Sequence, residues 1–266
     1  MDFLANYFSS LNPMSFLSAL PGNIAQGIIW GLMGLGVFLT FKLLNFADLS
    51  VDGSFATGGA VTAVMLNKAC PVWATIIVAI LAGLAAGLVT GLLHTLLGIP
   101  DILAGILTQI ALYSINLNIM GKSNLPISYR NYTLVVSASN INMAILVGLG
   151  ICAVVVAAMY WYFGTEQGST IRSTGSNPAM SKAQGININF TKVIALALSN
   201  GLVALSGSLF AQYQGFADIN MGRGAIVIGL AAVIIGEVLG EAIFRKHMNF
   251  IIRMLFVIVG GILYYI

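Results

Sequence analysis

Two stretches of this sequence place polar and ionisable residues between long apolar runs. Residues 44–59, LNFADLSVDGSFATGG, carry Asn45, Asp48, Ser50, Asp52 and Ser54, and residues 216–224, FADINMGRG, carry Asp218, Asn220 and Arg223. Polar groups in an apolar surrounding cost several kcal/mol unless they are satisfied. These side chains must therefore meet water, backbone or one another. Two readings are open for the first stretch. Asp48 or Ser50 caps the helix that follows by accepting its free N–H groups, or the polar set lines a path and touches a solute. Gly53, Gly58 and Gly59 would let another helix approach closely in either case. In the second stretch, Asp218 and Arg223 are expected to pair at the surface, with Arg223 otherwise meeting water or a docking protein.

Residues 168–192, GSTIRSTGSNPAMSKAQGININFTK, hold a third candidate. Asn177 stands where a cap belongs, Pro178 suits the first helical position and Gly185 marks the stop, so a helix is expected over 178–184. Seven residues rise only about 10 Å, too little to cross a membrane and marginal alone. Such a helix leans on its own bundle or enters a groove in another protein, with Arg172, Met180 and Ile186 at hand for the latter.

Catalytic and metal chemistry find no support. His94 and His247 share no helical turn, and no H-E-x-x-H motif or carboxylate pair with ligand spacing occurs. Glu237 and Glu241 lie four apart, where solvation or pairing with Arg245 is favoured over proton coupling. The stretch MGKS at 120–123 resembles the end of a phosphate-binding loop, but Asn116 occupies the place of its first glycine. ATP hydrolysis would have to come from a separate subunit. Cys70 and Cys152 form no C-x-x-C pair, and no basic stretch interleaved with aromatics points to nucleic acid.

The elements that must position these residues are membrane helices. The chain is 59% hydrophobic and 7% charged, with a mean hydropathy of +0.97, whereas soluble domains carry roughly 25% charged residues. Spanning about 30 Å of hydrocarbon takes roughly 20 helical residues. About eight segments qualify: 24–44, 50–67, 71–95, 101–120, 142–163, 191–214, 224–241 and 248–265. The second and seventh are the weakest, being short, rich in glycine and preceded by polar residues, as segments lining a pathway often are. Residues 1–20 lack the charge and apolar core of a cleaved signal and are expected to form an interfacial helix bearing Phe3, Tyr7, Phe8 and Phe16. With the N-terminus outside, Lys42, Arg172, Lys182, Lys192, Arg245, Lys246 and Arg253 fall on the cytoplasmic side, seven of the 11 Lys and Arg. The longest cytoplasmic gap is then 164–190 and the longest external one 121–141. No linker divides the chain, so residues 1–266 are expected to form one transmembrane domain.

Residues 31–48 and 201–218 align without gaps, sharing Gly31/Gly201, Leu32/Leu202, Leu35/Leu205, Leu39/Leu209 and the triplets Phe46-Ala47-Asp48 and Phe216-Ala217-Asp218. An odd number of helix steps separates the copies, which predicts an inverted repeat. Such repeats commonly place a transport route at their shared interface, built from broken helices. The predicted fold is an all-α integral membrane protein with about eight transmembrane helices and an inverted internal repeat.

The segment 44–59 resembles the NFADLSVDGSF signature of permeases in the branched-chain amino acid and ribose importer superfamily of ABC transporters. Residues 170–191, TIRSTGSNPAMSKAQGININFT, are similar to that superfamily's cytoplasmic coupling motif, with Ser173 in place of the commoner alanine. The run 197–237 is similar to a subgroup for which tryptophan or other aromatic amino acids are suggested substrates. The resemblance implies that Arg172, Thr174, Gly175, Asn177, Met180, Ala183, Gly185 and Ile186 lie in the loop that contacts the ATPase. It also implies a cytoplasmic ATPase dimer binding ATP and Mg, a second permease copy, an extracytoplasmic substrate-binding lipoprotein and a place in the bacterial cytoplasmic (inner) membrane. This chain itself would carry no cofactor. Asn45, Asp48, Ser50, Asp52, Ser54, Asp218 and Asn220 are the expected pathway residues. The alternatives are an ion-coupled secondary transporter, for which an inverted repeat is equally natural, and an intramembrane enzyme, for which no nucleophile–base or metal constellation is evident.

Overall fold

The computed structural model describes residues 13–127, 134–244 and 249–266, with side chains described from residue 19 onward. Helix α1 (Pro13–Val37) runs on into a π-helical turn, Phe38–Leu43. There follow α2 (Val51–Asn67), α3 (Val72–Leu96), α4 (Asp101–Met120), strand β1 (Asn124–Pro126) and α5 (Ile141–Phe163). The second half comprises α6 (Glu166–Ser176), α7 (Pro178–Ala183), α8 (Ile188–Gln214), β2 (Phe216–Asp218), α9 (Ala225–Phe244) and α10 (Phe250–Tyr265). Local chemistry sets the boundaries. Extended Pro71 and Pro100 precede α3 and α4, and Gly121 and Gly215 end α4 and α8 in the left-handed region that glycine enters freely.

Each of the eight expected segments is helical where described, but among the described residues six helices are long and apolar enough to cross a membrane: Ala19–Leu43, α3, α4, α5, α8 and α9. Helices α2 and α10, at 17 and 16 residues, rise only about 24–26 Å. The interfacial helix expected over 1–20 lies largely outside the described residues, and from Pro13 the chain already belongs to α1. Arg245, Lys246 and His247 also lie outside them. Two features were not expected. The gap 121–141, expected outside the membrane, contains β1, which pairs antiparallel with β2 through Asn124–Asp218, Leu125–Ala217 and Pro126–Phe216. The other long gap contains α6 ahead of α7. Gly121 and Ser123 join a helix end to a strand, the reverse of a phosphate-loop order.

Helices α1 and α8 are the core. Their apolar windows are 83% and 78% buried, against 28–33% for the other four spanning helices. Trp30 of α1 stacks on Phe55 of α2 at 4.8 Å and meets the edge of Phe210 of α8 at 5.3 Å. Helix α3 packs along α8, and α10 along α1. Small residues make this possible. A methyl group at Gly87 would fall on the Leu196 carbonyl oxygen, and one at Gly31 would lie 2.9 Å from the Ile258 Cα.

Candidate functional site

The polar stretch 44–59 begins where α1 stops. Leu44 closes the π turn, and Asn45 reverses the chain with φ +54°, a left-handed conformation that asparagine tolerates better than most residues. The backbone then climbs beside α8 to Asp48. There Asp48 Oδ1 accepts the Ser50 N–H at 2.9 Å and the Ser50 hydroxyl at 2.5 Å, while Oδ2 accepts Asn200 Nδ2 at 2.7 Å. The Ser54 hydroxyl donates to Asn200 Oδ1 at 2.6 Å, and Asn200 Nδ2 also reaches the Leu196 carbonyl at 3.0 Å. All four residues are buried, none more than 2% exposed. Every strong donor in this cluster has an acceptor, as a buried polar set requires. Asn200 stands 12 residues into α8, about 18 Å along a helix of roughly 40 Å. The network therefore sits near mid-depth. Asp48 accepts the amide of the residue ahead of α2, and Ser50 makes no side-chain cap bond of its own.

Asp52 does different work. Its carboxylate accepts the N–H groups of Gly224 at 3.0 Å and Ile226 at 2.9 Å, so a residue in the first turn of α2 caps the start of α9. Gly222 lies against the Asp52 carbonyl, where a methyl group has no room. The starts of the two helices thus meet at a junction where Asp52 is half-buried, Gly224 exposed and Ala225 buried. Asp218 Oδ1 accepts the Asn220 N–H at 2.7 Å, the same two-residue turn that Asp48 makes with Ser50. The expected pair of Asp218 with Arg223 is not formed; the two ion pairs among the described residues are Lys42–Glu237 at 2.8 Å and Arg253–Glu237 at 3.6 Å.

Beside Asp52 lies a cavity of about 310 Å³, lined by Asp52, Gln109, Tyr113, Asn116, Ile219 and Arg223 among others. Its walls come from α2, α4 and the turn before α9.

Helices α6 and α7 carry the residues expected to contact an ATPase. Thr165 caps α6 by accepting the Gly168 N–H. Asn177 Oδ1 accepts the Met180 N–H at 3.0 Å, Pro178 opens α7, and Gly185 follows with φ +82°. Ala183 ends α7, Ile186 is half-buried beyond it, and Met180 is 58% exposed. Arg172 is committed internally: it donates to the Phe163 carbonyl at 3.0 Å and covers the Phe250 ring at 5.8 Å. Thr174 is buried, and Gly175 lies so close to the Leu43 carbonyl that no side chain fits. Asn45, Lys42, Arg172 and Gly175 line one cavity of about 460 Å³ here.

The seven expected pathway residues are thus divided among four places. Asp48, Ser50 and Ser54 share the buried network; Asp52 stands at the α2–α9 junction; Asp218 and Asn220 form the turn beside β1; Asn45 faces the coupling segment. Asn200, Gln109 and Asn116 were missed. Asn200 immediately precedes the second repeat copy at 201–218, and an asparagine 12 residues into a 27-residue, largely apolar helix was the available signal.

The family described as branched-chain amino acid transport system / permease component matches residues 22–266. A tyrosine transport system permease protein of Clostridioides difficile is 43% identical over 93% of this chain and 81% of its own length. An uncharacterized protein of Rickettsia prowazekii is 31% identical over 91% and 84%. The D-allose transport system permease protein of Escherichia coli is 26% identical over 96% and 77%. No solved structure matches.

Proposed function

From a chain that belongs to the branched-chain amino acid transport system permease family, we infer the membrane-spanning subunit of a bacterial ABC importer that moves an amino acid, driven by a separate cytoplasmic ATPase dimer. The observation that carries this reading is the α6–α7 segment. A short helix is held out by an asparagine cap, offers Met180 to solvent, and is braced through Gly175 against the end of α1. A protruding capped helix backed by a rigid element can transmit force from a partner into the bundle. The face carrying α6, α7, Lys42, Arg172 and Lys182 is the cytoplasmic one by charge, and β1–β2 then face the substrate-binding lipoprotein.

The tyrosine-transport relative supports an amino acid as cargo, whereas the sugar-transport relative is more distant. Two further features favour a dimeric pathway built on an inverted repeat. The third helix of each half packs on the first helix of the other, α3 on α8 and α10 on α1, and the Asp48 and Asp218 turns occupy equivalent positions. Helix α4 also exposes Ser114 and Asn118 along with Tyr113, polar groups that are costly against lipid and that a second permease copy would cover.

The test is reconstitution with the ATPase and binding protein. Substrate-loaded binding protein should stimulate ATP hydrolysis, and Met180→Asp should abolish stimulation while leaving membrane insertion intact. Uptake by the isolated chain under an ion gradient alone would overturn the reading in favour of a secondary transporter.

A further inference from the structure

The cavity beside Asp52 contains polar groups that the fold leaves without partners. Asn116 is 0% exposed, yet neither its Oδ1 nor its Nδ2 meets a hydrogen-bond partner among the described residues. An orphaned buried polar atom costs about 1–3 kcal/mol, so a fully buried amide with both ends free calls for an occupant. Arg223, itself exposed, also lines the cavity and makes no ion pair among the described residues. Asp52 faces the same space. Two backbone N–H groups hold its oxygens in place, and each oxygen retains a further lone pair.

We propose that this cavity is a binding site for a zwitterionic α-amino acid, its carboxylate on Arg223, its ammonium on Asp52 and a remaining polar group on Asn116. The proposal rests on the importer reading and gives it a substrate-contacting site within the permease itself. An arginine fork matches a carboxylate in two parallel hydrogen bonds, and the fixed carboxylate of Asp52 presents the complementary charge across the same cavity. A free phosphate would be repelled by Asp52, and a neutral sugar would leave both charges unanswered. The volume of about 310 Å³ lies at the small end of the roughly 300–1,000 Å³ typical of ligand pockets, which suits one amino acid. Tyr113 and Ile219 offer an aromatic and an aliphatic wall for its side chain. Helix α4 is the outer wall, and its exposed face places the cavity beside the surface assigned above to the second copy.

Binding of L-tyrosine and L-leucine to the full chain in lipid nanodiscs, read by saturation-transfer NMR, tests this without the binding protein. Tyramine, which lacks the carboxylate, and 3-(4-hydroxyphenyl)propionate, which lacks the ammonium, report the two charged ends. The wild type should bind at least one of the two amino acids saturably. Where tyrosine binds, both analogues should be weaker by about tenfold or more, 1.4 kcal/mol per decade. Arg223→Gln should weaken the amino acid about tenfold and tyramine hardly at all; Asp52→Asn should likewise weaken the amino acid about tenfold and the propionate hardly at all. Asn116→Leu should weaken all of them. These cycles separate a lost contact from a damaged fold, because a damaged fold lowers every ligand together in the charge variants too. Absence of binding, or equal binding by wild type and Arg223→Gln, overturns the site. If ATP-driven uptake persists in Arg223→Gln and Asn116→Leu, the importer reading stands and only the site fails; if the wild type itself shows no ATP-driven uptake, both fail.

Discussion

The buried set around Asn200 makes a quantitative prediction about whether Asp48, Ser50 and Ser54 hold the fold or wait for a solute. Asn200→Leu keeps the volume and removes the amide. It strands Asp48 Oδ2, which loses a 2.7 Å bond, and the Ser54 hydroxyl, which loses a 2.6 Å bond. Hydrogen bonds within membrane bundles average about 0.6 kcal/mol and reach about 1.7, so two stranded partners cost about 1–3 kcal/mol. Asp48→Asn turns an N–H toward an N–H and should cost a similar amount. Exchanging the pair, Asp48→Asn with Asn200→Asp, again sets a donor against an acceptor and still offers an oxygen to Ser54. Recovery will be partial, because the carboxylate at position 200 then faces the Leu196 carbonyl, which the amide now contacts at 3.0 Å. Equilibrium unfolding of the purified chain in mixed micelles of increasing SDS measures all three variants. The exchange should restore about half of the loss of the worse single variant. A loss below about 0.5 kcal/mol for Asn200→Leu, or an exchange no better than the singles, would refute a structural network and return these residues to the pathway.

Gly175→Val places a branched side chain on the Leu43 carbonyl and should push α6 off the end of α1. ATPase stimulation by loaded binding protein should fall at least tenfold in reconstituted transporter, while expression and insertion persist; unchanged stimulation would separate α6 from coupling. Gly87→Val meets the Leu196 backbone in the α3–α8 contact, where no flexible side chain can yield. It should lower resistance to SDS by more than about 2 kcal/mol, on the scale of overpacking, whereas Gly150→Val, with nothing near its Cβ position, should change little.

Hydropathy located every long helix because spanning segments must be apolar throughout, and caps located α7 because Asn177, Pro178 and Gly185 act on their immediate neighbours. What sequence could not supply was depth and partnership. Asp48 and Asp52 are four residues apart, yet one turns inward to Asn200 and the other crosses to the amides of Gly224 and Ile226. Both partners lie more than 150 positions away, and no local rule selects them. Helix α6 was missed because its composition, EQGSTIRSTGS, reads as a loop. Its burial of Gly168, Ile171 and Thr174 against the bundle overrides that propensity. Arg223 was expected as a surface cation paired with Asp218; it is exposed, but Asp218 is occupied by the Asn220 amide and Arg223 borders the cavity beside Asp52.

The order of these contacts along the molecule bears on how a cytoplasmic motor would reach the middle of the bilayer. Helix α7 is joined to α6 by a single capping residue, and α6 bears on Leu43 through Gly175. Leu43 ends a π-helical turn, a geometry that admits an extra residue into a helix and recurs at functional sites. From that turn the chain passes through left-handed Asn45 to Asp48, and two residues after Ser50 comes Asp52, on which the start of α9 hangs. Helices α6 and α7 also touch α8, and the segment 44–50 that leads on from α1 is itself held to α8 through Asp48 and Asn200. Packed helices shift as units and resist continuous deformation, so a displacement delivered to the end of α1 would move segment 44–50 together with α8, to which Asp48 is bonded, and so reach the junction beside the cavity lined by Asp52, Asn116 and Arg223.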